Sequence, residues 1–504
     1  MNWWPWLHPR LIGNSPKGPA MLGRRNALFN RPAAPLRPMT VMVDAKLLPR
    51  ARHDKKINYL LELVAMEPVQ AHLYSHDGPP ERTQAVIAAD TGVEGIRDWV
   101  VTRASDEGER LDAIYLRDGV PTRVPTEAND PYFLHVSQTI PLTEGPANDL
   151  RPQVREDALG LLVAKAIRAD LFVTDRRLLV DSDSDFWRGV TVMPPEAALP
   201  VVGLYLRQQE KFVLHRSPAL GMPAMMENLT KRDRTWFYWQ AAQGLMPSQD
   251  RWASACNAYT STTKDMTLSS LPKALTWRVD QVLRARDRLL AVLALVPQDH
   301  GPVDEALTEL DQILLWLMAG FDITAQVAHV ALGVPMKLRA AAWQNDDWLN
   351  KAALYDANLV DLVRKDNDDE GQHILTIVRI LRNSVHGDAL SAGGMIPVVG
   401  RHALEPLVAL PQSNREQVLE AIGALGGGEL WGVVQPVSGD DLYLHPGKFV
   451  EQLLPRTLRV LNQLMTATPV ERLLGADARP DDLPRTLPLT LQDHRIRWQL
   501  GLDQ

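Results

Sequence analysis

Short β-rich runs alternate with helix-spaced segments from Thr40 to about residue 215 and then give way to long helices, and this limits the folds open to the chain more than any other feature. "TVMVDA" (40–45) is a compact β-branched run, "KINYLLELVAME" (56–67) carries its apolar residues at helical spacing, and "VQAHLYS" (69–75) returns to strand alternation. Such an order builds a layer of parallel strands with helices packed on it. In 76–130 the loops "HDGPPER" and "DGVPTRVPTEANDP" enclose an expected helix near 94–104, and "YFLHVSQTIPL" reads as a further strand. Residues 216–273 change character to a linker with connecting helices, after which "ALTWRVDQVLRARDRLLAVLALV" (274–296) and "DEALTELDQILLWLMAGFDITAQVAHVAL" (304–332) predict an antiparallel helical hairpin within a bundle, closed by "KFVEQLLPRTLRVLNQLMTAT" (448–468). The expected fold is therefore an α/β N-terminal domain with a parallel sheet over 40–215 and an all-α helical-bundle C-terminal domain over 274–470. A disordered arm or mis-assigned start (1–39) precedes them, and a proline-spaced tail (471–504) lies on the surface or ends a partner contact.

Composition removes several function classes. The first 43 residues hold six Lys or Arg, seven prolines and no acid, which sets them apart from a core. With a formal charge of −7 the chain is not built to coat nucleic acid, so any contact with RNA or DNA must use local basic patches. Its one cysteine, Cys256, excludes an intrachain disulfide or thiolate metal cluster and suits a reducing cytoplasm. The most apolar pieces, "LLAVLALV" and "ILLWLMAGF", fall short of the roughly 18–20 residues a membrane helix needs. No membrane partner is expected.

The passage "REDALGLLVAKAIRADLFVTDRRLLV" (155–180) has a helix opening on an acid, small residues, and then a strand ending "FVTDRR"; "GVTVMPPEAALPVVGLYLR" follows as strand and helix. Together with "VMVDA" this resembles a PIN-domain nuclease over about 40–215. The resemblance implies that Asp44, Asp157 and Asp175 gather at the carboxyl edge of the sheet. There they would hold Mg²⁺ or Mn²⁺, hard ions that prefer oxygen ligands and can activate water against a phosphodiester. The residues alone also allow Asp157 to be a helix N-terminal acid favoured by the dipole, and Asp175 a turn residue.

A second constellation is "RILRNSVHGDAL" (379–390). At about 100° per residue, Ile377, Val378, Leu381 and Val385 fall near Ile374 in one buried stripe, while Arg379, Arg382 and His386 share a flank that borders it. This arrangement resembles the HEPN domain, a helical bundle, over about 274–468. The resemblance implies a metal-free ribonuclease site in which Arg379 or Arg382, with Asn383, contacts the scissile phosphate and His386 moves protons, commonly where two bundles pair. Guanidinium matches phosphate geometry, and an imidazole can take and give protons near neutral pH.

The combined expectation is a cytoplasmic endoribonuclease of toxin or phage-defence type, with RNA as substrate, a homodimer through the helical domain, and an antitoxin or defence partner. The alternative is a non-catalytic scaffold that binds RNA, nucleotide or protein through degenerate nuclease folds.

Overall fold

The computed structural model describes residues 25–26, 31–32, 37–75, 98–104, 111–117, 120–124, most of 156–176, 190–214, 234–293, 295–296, 301–364, 369–384, 391–397, 404–435, 441–475, 478–486 and 488–503. The expected strand "YFLHVSQTIPL" lies outside them. So do Val385 and His386.

The α/β part contains β1 (Met39–Asp44), α1 (Lys55–Val64), β2 (Val69–Ser75), β3 (Asp98–Ala104), β4 (Leu111–Arg117), β5 (Val120–Val124), β6 (Leu171–Val173), β7 (Thr191–Met193) and α2 (Pro195–Gln208). The strands form one sheet in the spatial order β5-β4-β3-β2-β1-β6-β7. From β3 to β7 the pairing is parallel, while β4 and β5 extend the sheet as antiparallel strands. Every residue of β1 is buried, as expected for the central strand of a sheet covered on both faces. Met39, Val41 and Val43 pack toward α1 and α2 in one apolar cluster with Leu60, Val64, Leu199 and Val202. On the other face Phe172 and Tyr74, edge to face at 5.9 Å, meet the helical residues between 156 and 165, where Gly160 allows close approach to both rings.

Of the helix expected near 94–104, residues 98–104 are strand β3 instead. Val100, Val101 and Thr102 are β-branched and stiff at χ1, and the edge of β2 offers unpaired backbone groups for them to join.

The helical part runs α3 (Arg234–Leu245), α4 (Gln249–Thr263), α5 (Leu271–Leu293), α6 (Gly301–Leu332), α7 (Asp346–Ala353), α8 (Ala357–Asp361), α9 (Glu370–Ser384), α10 (Arg415–Ala424), α11 (Pro446–Ala467) and α12 (Leu491–Leu500). Helices α5 and α6 form the expected antiparallel hairpin: Trp277 packs edge to face on Trp316 at 5.0 Å, and further along α5 Arg288 bonds Glu309 at 2.7 Å.

 As the residue number rises along one helix it falls along the other. Helix α6 carries a segment, Val303–Leu332, long and apolar enough by composition to cross a membrane; in this fold 67% of its most apolar window is buried inside the protein, as in a core helix. The continuous helix is longer than either apolar piece suggested. Around it the large side chains are hydrogen-bonded as well as buried: Trp343 Nε1 donates to Thr324 at 2.8 Å, Trp348 Nε1 to His329 Nδ1 at 3.0 Å, and Trp252 Nε1 to the Met465 carbonyl at 3.0 Å.

This part is not all-α as expected. It also holds a four-stranded antiparallel sheet, β8 (Ser391–Pro397), β9 (Leu404–Ala409), β10 (Val433–Val434) and β11 (Tyr443–Leu444), in the order β8-β9-β11-β10. Strands β10 and β11 are too short, and β8 too rich in glycine, to show a period-two pattern.

The end of the chain is not a surface tail either. Helix α12 opens on a capping box formed by Thr490 and Asp493, and it buries Ile496, Trp498 and Leu500. It joins the two parts: Arg495 bonds Glu62 of α1 at 2.9 Å, and Gln499 donates to the Tyr59 hydroxyl and to the Val213 carbonyl. Beneath it lies a buried ion cluster. Arg207 of α2 grips Asp287 of α5 through Nε at 2.5 Å and Nη2 at 3.0 Å, Tyr238 of α3 donates to the same carboxylate at 2.7 Å, and Arg207 Nη1 reaches the Gln499 carbonyl at 3.1 Å. Burial pushes the Asp287 carboxyl up, but Arg207 and Arg286 outweigh it and hold the carboxyl below the usual range.

Asp287→Ala should lower the unfolding free energy by about 3–5 kcal/mol, because it strands buried guanidinium charge. Urea denaturation measures this, and a loss under 1 kcal/mol would show that the cluster is not what holds α2 to α5. At Gly203 an added methyl would lie 2.8 Å from the Gln499 carbonyl oxygen. Gly203→Ala should therefore cost about 1–3 kcal/mol by forcing α12 off α2. Protection of the α12 amides from hydrogen exchange should fall along with it.

Candidate functional site

The parallel strands run outward from β1 to β2 and β3, then return on the other side of β1 as β6 and β7. The order reverses between β1 and β6, and ligands of open α/β sheets bind outside the carboxyl ends of the strands at such a point. Asp44 is the last residue of β1, and Thr174, Asp175 and Arg176 follow β6 directly. Asp157 arrives from the face opposite α1 and α2, among the helical residues that Gly160 brings close to Phe172 and Tyr74.

Asp44 and Asp157 do meet, and the group that joins them is Arg176. Its Nε donates to Asp44 Oδ2 at 2.7 Å, and its Nη1 to Asp157 Oδ1 at 2.8 Å and to Glu156 Oε2 at 3.2 Å. All three of Asp44, Asp157 and Arg176 are buried. Thr174 Oγ1 donates to Asp44 Oδ2 at 3.1 Å, the Lys46 amide to Asp44 Oδ1 at 3.0 Å, and the Lys46 ammonium to Glu156 at 3.1 Å. The guanidinium carbon stands 5.9 Å from the centre of the Tyr74 ring. Among the described residues, Asp157 Oδ2 and Arg176 Nη2 are buried and find no hydrogen-bond partner.

Asp175 is placed differently. Its carboxylate pairs with Arg50 at 2.5 Å, and both side chains are largely exposed. Side chains of a strand alternate, so residues 174 and 176 fall on one side and 175 on the other. Sequence reasoning singled out Asp175 and passed over Thr174, Arg176 and Glu156. The signal was the doubled arginine of "VTDRR" combined with that alternation.

The donor set tests the Mg²⁺ or Mn²⁺ expectation. Two buried carboxylates and a hydroxyl are hard oxygen donors, and one carboxylate oxygen is unpartnered, so the chemistry fits a divalent ion. The charge fits as well: Asp44, Glu156 and Asp157 carry three negative charges against the two positive charges of Arg176 and Lys46, which leaves one in excess. Asp44 and Asp157 are the residues that would hold the ion. Among the described residues, no group of three or more His, Cys, Asp or Glu is gathered at one point for a metal.

On α9 the expected stripe is formed, with Ile374, Ile377, Val378 and Leu381 fully buried. Arg379 and Arg382 are half-buried beside it and Asn383 is exposed, while His386 lies outside the described residues. Arg382 Nη1 donates to Asn383 Oδ1 at 3.1 Å. Burial pushes the Asp322 carboxyl of α6 up, and the charges of Arg382 and Arg278 oppose that. Arg382 therefore has an acid of the bundle for a neighbour.

Burial pushes the Asp157 carboxyl above the usual carboxylate range; the hydrogen bond and charge of Arg176 oppose this, and Glu156 and Asp44 add to it. A carboxyl with a raised value binds more protons folded than unfolded, so its ionisation costs stability. The cost is absent below the ordinary value of 3.8 and grows as pH rises through the folded value. Asp157→Asn should consequently be more stable than the parent at neutral pH, with the difference shrinking toward about pH 4 in thermal melts. The opposite trend would mean that attraction to Arg176 outweighs burial.

No family model, curated protein or solved structure matches this chain.

Proposed function

We propose that this chain is a hydrolase of nucleic-acid phosphodiesters with PIN-like architecture, an endoribonuclease in which Asp44 and Asp157 form the acidic pair. The observation that carries this reading is the meeting of two buried carboxylates from separate elements at the switch point of a parallel sheet, with an oxygen of Asp157 left bare. Buried carboxylates repel each other and cost stability, so a fold that brings them together has a use for the charge. Mg²⁺ or Mn²⁺ bound there would supply a Lewis acid and an activated water. The protein's own part is to fix the two carboxylates: Thr174 and the Lys46 amide orient Asp44, and the packing of residues 156–165 on Phe172 sets Asp157. RNA is the proposed substrate. A toxin or phage-defence role in the cytoplasm, with a partner that restrains the activity, would follow from such cleavage.

One observation favours a second reading, a non-catalytic scaffold: the guanidinium of Arg176 already stands between the acids. Cleavage assays separate the readings. The purified chain should cut single-stranded RNA in Mn²⁺, lose the activity in EDTA, and lose about a hundredfold or more in Asp44→Asn and Asp157→Asn. Cleavage that survives EDTA and leaves cyclic phosphate ends would move the chemistry to Arg379, Arg382, Asn383 and His386. No cleavage by folded protein in either condition would leave the scaffold.

A further inference from the structure

The crevice has an occupant of its own. Arg176 lies with its Nε 2.7 Å from Asp44 and its Nη1 2.8 Å from Asp157, on the oxygens that face the space between the acids. A divalent ion bound by the same oxygens would stand roughly 2.0–2.2 Å from them. The two cations cannot share that space, and they repel each other. Yet Arg176 does not complete the site. Its Nη2 is buried without a hydrogen bond, Asp157 Oδ2 is in the same condition, and the cluster retains excess negative charge. The guanidinium is held by charge-assisted hydrogen bonds to Asp44, Asp157 and Glu156 through Nε and Nη1, and Nη2 is the nitrogen left to take a further acceptor. The group is also suited to a planar pair of anionic oxygens, which a phosphodiester provides.

We propose that Arg176 is a movable internal counter-cation: it keeps divalent metal from the Asp44–Asp157 pair, and a nucleic-acid phosphate opens the pair to metal by drawing the guanidinium onto itself. This deepens the reading of the crevice as a phosphodiesterase site and rests on it. No bond is made or broken in the exchange. The guanidinium trades carboxylate oxygens for phosphate oxygens, and the charge it leaves behind on the acids is what attracts the metal. Metal and nucleic acid then bind with positive coupling, each raising the affinity for the other by the same factor. Arg176 also acquires a place on the substrate, beside the acids and aligned by Tyr74. The arrangement ties metal loading to the presence of substrate, so Asp44 and Asp157 stay bridged by Arg176 when no nucleic acid is bound.

The test is a Mn²⁺ titration of the full chain, followed by water-proton relaxation, with and without a short 2′-O-methyl oligoribonucleotide that cannot be cut by attack of its own 2′-hydroxyl. The parent alone should bind Mn²⁺ weakly, the oligonucleotide should tighten that binding by about tenfold, and Arg176→Gln should bind about tenfold more tightly than the parent without it. In Arg176→Gln the oligonucleotide should add little, and adding Asp44→Asn should abolish the gain. Equal Mn²⁺ affinity in parent and Arg176→Gln would overturn the counter-cation while leaving the metal site standing. No Mn²⁺ binding by either protein, with or without oligonucleotide, would overturn the metal site itself. The oligonucleotide arm on the parent needs no variant, so it decides the phosphate exchange even if Arg176→Gln does not fold: unchanged affinity there ends it.

Discussion

Asp287 and the guanidinium groups around it hold the molecule together. A carboxylate removed from water must find partners for both oxygens, and here Arg207 comes from the last turn of α2, Tyr238 from α3 and Arg286 from α5 itself. Three elements are fixed relative to one another by one side chain. Arg207 then passes the constraint on, because its remaining nitrogen holds the Gln499 carbonyl and so sets α12 against α2. The covering of one face of the parallel sheet depends on this: α1 and α2 lie on the strands, and α12 lies on α1 and α2 with Trp498 tilted against Tyr59 at 6.2 Å.

The fold was legible where a segment has one dominant period. The runs at 40–45, 56–67 and 69–75 each point one way, and β1, α1 and β2 lie where they suggest. The two long helices were legible for the same reason, since thirty residues average out local exceptions. Segments with mixed signals were misread. Residues 98–104 carry β-branched side chains but are flanked by charge, and only the free edge of β2 decides for strand. The prolines around residue 487 suggested a tail, yet Thr490 and Asp493 three residues apart are a helix start, and Trp498 needs a core to enter. Strand β8 is interrupted by glycines and a bulge at Ala392 and Gly394, and β10 and β11 have two residues each, so none of the three carries an alternation.

At the crevice, the resemblance to PIN domains singled out Asp44 and Asp157, and the two carboxylates do meet, although the residues alone left Asp157 open as a helix N-terminal acid. Asp175 and Arg176 were harder. They follow β6 in sequence, and which of them faces Asp44 depends on a half-turn of the chain that composition does not reveal. The flank of α9 shows the same limit: the buried stripe was fixed by periodicity, but the closeness of Arg382 to Asp322 on α6 depends on how two helices pack.

The two buried arginine–carboxylate clusters differ in how their carboxylate oxygens are paired, and the difference bears on function. At Asp287 each carboxylate oxygen accepts two hydrogen bonds, Oδ1 from Arg207 and Arg286 and Oδ2 from Arg207 and Tyr238, and the carboxyl is held below its usual range. That is how a cluster looks when it serves the fold, because an unsatisfied buried group costs about as much as a hydrogen bond contributes, or more. At the crevice an oxygen of Asp157 accepts nothing, a nitrogen of Arg176 donates to nothing, and the Asp157 carboxyl is pushed up. The Asp287 cluster is fully enclosed, whereas the crevice cluster reaches solvent through Lys46 and Glu156 although Asp157 itself is buried. Both clusters leave a guanidinium nitrogen without a hydrogen bond, Arg286 Nε at the one and Arg176 Nη2 at the other, but both oxygens of Asp287 are paired whereas Oδ2 of Asp157, beside the point where the strand order of the sheet reverses, is not. An ion-pair cluster retained only for stability would gain from an apolar replacement or a further donor there. The incomplete contacts are what a site requires if its partners are to change.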